Sequence, residues 1–118
     1  MCSSDLNAEL VLTHGIMHEL LSIHSKEELD CVRKAGKLCE AAMEAIVRAA
    51  EPGATEIDLK AAAAHAILKG GGDVDFLIIG STSMTNPAMV FGNPRPSLRK
   101  LSKDDIILME LEIGRAHV

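Results

Sequence analysis

The chain has 118 residues, enough for one domain, and 47% hydrophobic with 25% charged residues marks a globular sequence rather than a disordered one. A net charge of −5 and an aromatic content of two Phe, with no Trp or Tyr, argue against a nucleic-acid partner, which asks for phosphate neutralisation and stacking surfaces. No apolar run reaches the roughly 18 residues of a membrane span, so no membrane partner is expected.

The two ends encode each other. Met1-Cys2-Ser3-Ser4-Asp5-Leu6 can be written GTG TGC TCT TCC GAT CTN, and the reverse complement of that stretch reads Glu112-Ile113-Gly114-Arg115-Ala116-His117. Residues 1–6 and 112–118 are therefore expected to be sequencing-adapter scars, and the chain a piece of a longer protein. Residues 7–22 are then the tail of a preceding region, and residues 23–111 carry the fold.

In chain order, Ala8 to Ser22 shows helical spacing at Leu12, Ile16, Leu20 and Ile23, weakened by Gly15. Ser25-Lys26-Glu27-Glu28 is a capping box, with Glu three residues after the Ser cap. The helix it opens has an apolar stripe at Leu29, Val32, Gly36, Cys39, Met43, Ile46 and Ala50. Glu51-Pro52-Gly53 stops it, and Thr55 caps a second helix from Glu56 to about Lys69. Ile57, Ala61, Ala64 and Leu68 are expected to line its buried side. Gly70-Gly71-Gly72 lacks the Lys-Ser/Thr of a phosphate loop and reads as a helix end. The period then shortens. Asp75 to Gly80, Ala88 to Phe91 and Asp105 to Leu111 read as three strands, with Ser81 to Pro87 a polar loop. The expected class is α+β, two helices packed on an antiparallel sheet. Cys31 and Cys39, eight apart on one helix, cannot reach each other and read as buried hydrophobes in a reducing compartment, with the cytoplasm as the default location. Met84 and Met89 read as core fillers.

The order of these motifs resembles one family. Ile23-His24-Ser25-Lys26-Glu27-Glu28-Leu29 with Val32-Arg33-Lys34-Ala35 is similar to the opening of the catalytic domain of the pita-bread metallopeptidases (methionine aminopeptidase, Xaa-Pro dipeptidase, creatinase). Glu51-Pro52-Gly53-Ala54-Thr55-Glu56 resembles the Pro-Gly-x-Thr-Glu turn between that domain's first two helices. Phe76 to Gly80 resembles its first core strand, and Leu101-Ser102-Lys103-Asp104-Asp105 the Leu-x-x-Gly-Asp turn before the metal-bearing strand, with Asp104 in place of Gly. The resemblance implies a partial pita-bread domain, its first half. Strand and loop order look more like the dipeptidase–creatinase branch than methionine aminopeptidase.

The resemblance also implies a site. Family peptidases hold two divalent metals, and the position of the first ligand, an Asp five residues after the turn Asp, is Glu110 here. A carboxylate of either length can bind a hard cation through oxygen, and the resemblance implies Mn, Co or Zn as the cofactor of the parent protein. Three residues before Pro96, where a His that contacts the scissile region is usual, stands Asn93. Asn can position a substrate by hydrogen bonding but cannot act as a general acid. The remaining ligands are expected beyond Leu111.

Other candidates carry less. His14 and His18 share a helix face without a third ligand and lack the His-Glu-x-x-His order, and His65 reads as a helix-surface residue. Two functions follow. The first is a metal-dependent aminopeptidase- or Xaa-Pro dipeptidase-like hydrolase, cleaving a C–N bond of a small peptide or amide substrate; the 118 residues alone are expected to be inactive. The second is a non-catalytic binding module of the same fold that has lost its metal ligands, favoured by the departures at Asn93 and Glu110. Metal-free hydrolysis of the creatinase kind leans on a His that this segment does not supply. A homodimer is left open.

Overall fold

The structure, a computed structural model, describes residues 11–88 and 95–114. Three helices precede two strands: α1 (His14–Leu21), α2 (Lys26–Ala49), α3 (Glu56–Lys69), β1 (Val74–Ser83) and β2 (Asp105–Ile113).

Helix starts follow the chain's own cap chemistry. The Ser25 hydroxyl accepts from the Glu28 amide while the Glu28 carboxylate accepts from the Ser25 amide, closing the expected box at α2. Thr55 and Asp58 repeat the device at α3. Two donors at each start are thereby satisfied. Between the helices, Gly53 sits at φ 97°, a left-handed turn that a side chain would strain. After α3, Gly70 donates to the carbonyls near the helix end and Gly71 takes φ 81°, so the glycine run is a helix terminus.

The core forms where α2 and α3 meet and lie on the sheet. Ala42 and Ile46 from α2, Leu59, Ala63 and Ile67 from α3, and Leu77 and Ile79 from β1 are buried together with Leu101. The alanines Ala42 and Ala63 bring the helices close, as a run of small side chains allows. Each buried Leu or Ile contributes on the order of 2 kcal/mol of transfer free energy.

Helix α3 buries a face different from the one expected, and α2 keeps the second half of its expected stripe in part, with Ile46 buried and Cys39 and Ala50 half-buried. On α3 the buried positions are Leu59, Ala63 and Ile67, whereas Ile57 and Leu68 are exposed. Glu56 is buried too and turns this face inward, for reasons given below. On α2 the stripe is rotated by one residue at its end, with Ala42 buried and Met43 exposed, and Leu29 and Val32 on the first turns are exposed as well. Cys31 is exposed and Cys39 half-buried, both free thiols, so neither is the buried hydrophobe expected. Met84 is exposed rather than a core filler. Helix α1 forms at the expected apolar spacing but buries none of its residues.

The sheet is an antiparallel pair in which Leu77 faces Leu111, Ile78 faces Glu110, Ile79 faces Met109 and Ser81 faces Ile107. Two strand boundaries shift from the sequence expectation. Strand β1 runs on through Ser81, Thr82 and Ser83, read above as loop, because these residues find ladder partners in Ile107, Ile106 and Asp105. Strand β2 continues past Leu111, with Glu112 and Ile113 paired to Phe76 and Val74. Of the second strand candidate, Ala88 to Phe91, Ala88 lies outside any strand and Met89 to Phe91 fall outside the described residues. Beside the sheet, the chain from Ser97 to Leu101 runs along the start of α3, with a bridge between Thr55 and Lys100. Two orphan amides of α3, those of Glu56 and Ile57, donate there to the carbonyls of Arg99 and Ser97.

Candidate functional site

A strand alternates its side chains between two faces, and the helices cover only one of them here. On β2, Ile107, Met109, Leu111 and Ile113 pack against the core, so Ile106, Leu108, Glu110 and Glu112 point the other way. Glu110 and Glu112 are both exposed. Their strand neighbours on β1 are Ile78 and Phe76, so the two carboxylates stand side by side next to apolar partners. Glu110 thus projects from the sheet face opposite the helices, near the centre of the strand pair. Asn93 lies outside the described residues.

The donors on this face fit a hard divalent cation in kind, being carboxylate oxygens. They fall short in number: among the described residues no group of three His, Cys, Asp or Glu side chains converges. His14 and His18 lie on exposed α1, and His65 on the exposed side of α3.

A second polar cluster sits on the covered side, and sequence reasoning did not find it. Glu56, 4% exposed, is the first residue of α3. One carboxylate oxygen accepts from the Ser81 amide at 2.6 Å and its hydroxyl at 2.7 Å. The other accepts from the Ser97 amide at 2.8 Å and its hydroxyl at 2.7 Å. Arg99 continues the chain, donating to the Ser81 hydroxyl at 2.6 Å and gripping Asp105 through two bonds of 2.6 and 2.8 Å. One carboxylate therefore ties α3 to β1 and to the segment before β2, and one guanidinium ties that segment to both strands.

The charges respond to these bonds. Burial pushes the Glu56 carboxyl up, but the hydrogen bonds from Ser97 and Ser81 outweigh it and hold the group below the usual carboxylate range. The Arg99 fork, helped by the Ser102 amide, lowers Asp105 to about 2. Arg99 is in turn raised, chiefly by its bonds to Asp105. Every buried side-chain polar atom among the described residues has a partner. The signal that could have exposed the cluster is Ser81 at the end of the apolar run from Phe76 to Gly80, since a buried strand serine next to Ile79 needs a partner.

A hollow of about 280 Å³ opens between the end of α2 and the start of β2, lined by Ala50, Pro52, Leu101, Lys103 and Ile107 among others. It lies on the helix side, away from Glu110.

Comparison with known proteins agrees with this geometry. No curated protein sequence matches the chain. Among solved structures, the crystal structure of dipeptidase PepE from Mycobacterium ulcerans is similar at 26% sequence identity and a TM-score of 0.71. That likeness covers 92% of this chain and 29% of the dipeptidase, so the chain spans less than a third of that structure's length. The two packed helices and the antiparallel pair are accordingly part of a pita-bread fold. The sequence model of metallopeptidase family M24 matches residues 30–114, well over half of the chain, and the chain belongs to that family.

Proposed function

We propose that the chain contributes the first half of the catalytic sheet of a metal-dependent hydrolase of the dipeptidase kind, which cleaves the C–N bond of a small peptide or amide. What carries this is the placement of Glu110, exposed on the sheet face that the helices leave open and five residues after the turn at Asp105. Membership in family M24 and the likeness to a dipeptidase support a hydrolase in general. The substrate, an Xaa-Pro dipeptide in the narrower form, and the metal, Mn, Co or Zn, belong to the proposal.

Glu110 would hold the metal as one oxygen ligand, with the remaining ligands supplied from outside the described residues. When bound, such a metal supplies Lewis acidity toward the scissile carbonyl and a more acidic water at neutral pH. Glu110 would bring one carboxylate to the site, with Ile78 as its partner across the ladder. Asn93 would position the substrate by hydrogen bonding, without proton transfer. Among the described residues no helix is long and apolar enough to cross a membrane, and a cytoplasmic location belongs to the proposal. A homodimer belongs to the proposal as well.

The test is turnover of an Xaa-Pro dipeptide by the full polypeptide. Glu110→Ala is expected to abolish turnover and lower metal content, while Asn93→Ala weakens kcat/KM. Unchanged turnover and metal content in Glu110→Ala would sink the assignment. The second reading, a binding module of the same fold, is favoured by the Glu at this position, whose longer arm shifts the carboxylate away from a site shaped for Asp. It predicts saturable peptide binding with no metal retained after reconstitution.

A further inference from the structure

Over its first half, from Ile106 to Met109, strand β2 is apolar on both faces. Ile106 and Leu108 point outward while Ile107 and Met109 point to the helices, and all four are of similar size and hydropathy. The facing strand is equally indifferent, with Phe76 and Ile78 outward and Leu77 and Ile79 inward. A register slip of one residue turns every side chain to the other face, and hydrophobic alternation opposes it only where the two faces differ. At the Asp105 end of the sheet apolar patterning therefore does little to hold the register, and Glu110 and Glu112 resist a slip only further along the strand. At the Asp105 end the polar cluster supplies the hold.

We propose that Arg99 and Asp105, backed by Ser81 and Glu56, form a register clamp that positions Glu110. Asp105 is the first residue of β2, and its side chain is taken by both arms of the Arg99 fork on the helix side of the sheet. The same guanidinium donates to Ser81, which lies on β1 opposite Ile107, and Ser81 is fixed in turn by Glu56. With Asp105 held inward, the odd-numbered positions 107, 109 and 111 follow it inward and position 110 must face outward. A one-residue slip would carry Asp105 away from Arg99, leaving the guanidinium without its carboxylate and with the Ser81 hydroxyl alone. At this end of the sheet the cost of a slip thus falls on the clamp, five residues away from Glu110. Arg99 and Asp105 are positioning residues; neither lies on the open face.

The inference rests on the assignment of Glu110 only for its consequence in function, and its test reads geometry first. In the full polypeptide with its native cysteines, Cys31 and Cys39 among them, replaced by serine, Ile78→Cys with Glu110→Cys places two thiols directly across the ladder, within reach of a disulfide. Ile78→Cys with Leu111→Cys reports a slipped register. Oxidation is expected to close the first pair almost fully and the second hardly at all. Adding Arg99→Ala should lower the first several-fold and raise the second, and Arg99→Lys, which keeps the charge without the fork, should fall between. If Arg99→Ala does not fold, Arg99→Lys decides the matter. An unchanged ratio of the two cross-links in a folded Arg99 variant would overturn the clamp and leave the role of Glu110 untouched. With the native cysteines and Glu110 restored, Arg99→Lys should also weaken metal binding in step with the lost cross-link. A shifted ratio with metal binding unaffected by Glu110→Ala would keep the clamp and refute the metal ligand.

Discussion

The two faces of one short sheet have opposite fates. On the helix side, Leu77, Ile79, Met109 and Leu111 join a core closed by α2 and α3, and a buried carboxylate and a half-buried guanidinium fix the strand ends. On the other side Glu110 is exposed, with Ile78 and Leu108 half-buried beside it and Phe76 at 40% and Ile106 at 42% exposure further along the face. The same alternation of side chains makes both, so what separates a stabilising face from a chemical one is which elements pack on it. Substitutions that respect this division should separate stability from metal binding.

The largest effects on folding should come from the covered face. Leu59→Ala or Ile79→Ala removes a fully buried side chain and is expected to cost about 2–5 kcal/mol in denaturant unfolding. Ile106→Thr on the open face should stay within about 0.5 kcal/mol and reduce self-association of the isolated chain. Equal losses at Ile79 and Ile106 would show that the open face is covered in solution.

Glu56→Ala comes next, at about 3 kcal/mol, because it strips the acceptor from two amides and two hydroxyls at once. Glu56→Gln keeps the shape and one acceptor, and should lose roughly half of that. Acid should act through the same cluster. Asp105 is held at about 2 and Glu56 below its ordinary value, so the unfolded chain takes up protons first as pH falls. The stability they confer is complete above about pH 5 and is lost between about pH 4 and 2. Arg99→Ala should flatten the Asp105 part of that loss, read as a shallower fall of unfolding midpoint with acid.

The smallest effects belong to the helix caps, and they too should differ by region. Thr55→Ala is expected to cost about 1 kcal/mol because α3 is packed along its length. Ser25→Ala should fray the exposed first turns of α2 instead, seen as faster amide exchange near Glu28 with little change in global stability.

Local signals were legible in the sequence where the chemistry is local. Ser25 with Glu28 and Thr55 as a cap name their own helix starts, the glycines at 53 and 71 name their turns, and Asp105 to Leu111 names a strand. The position of Glu110 on that strand followed from counting along a motif. The buried faces of the helices were less legible. Ile57 and Leu68 look like core residues by size, yet α3 turns Leu59, Ala63 and Ile67 inward because Glu56 must reach Ser81 and Ser97. Those partners lie 25 and 41 residues away in sequence, where periodicity carries no information. Ser81 to Ser83 were read as a loop from composition, and their strand pairing is a tertiary effect of the same kind.

The most direct test is calorimetric titration of Mn, Co and Zn into the metal-stripped full polypeptide, wild type beside Glu110→Ala, with Ile106→Thr as an open-face control. A ligand at position 110 predicts tight binding in the wild type and the control, and binding weakened at least tenfold in Glu110→Ala, with the fold unchanged. Identical isotherms for all three proteins would contradict it.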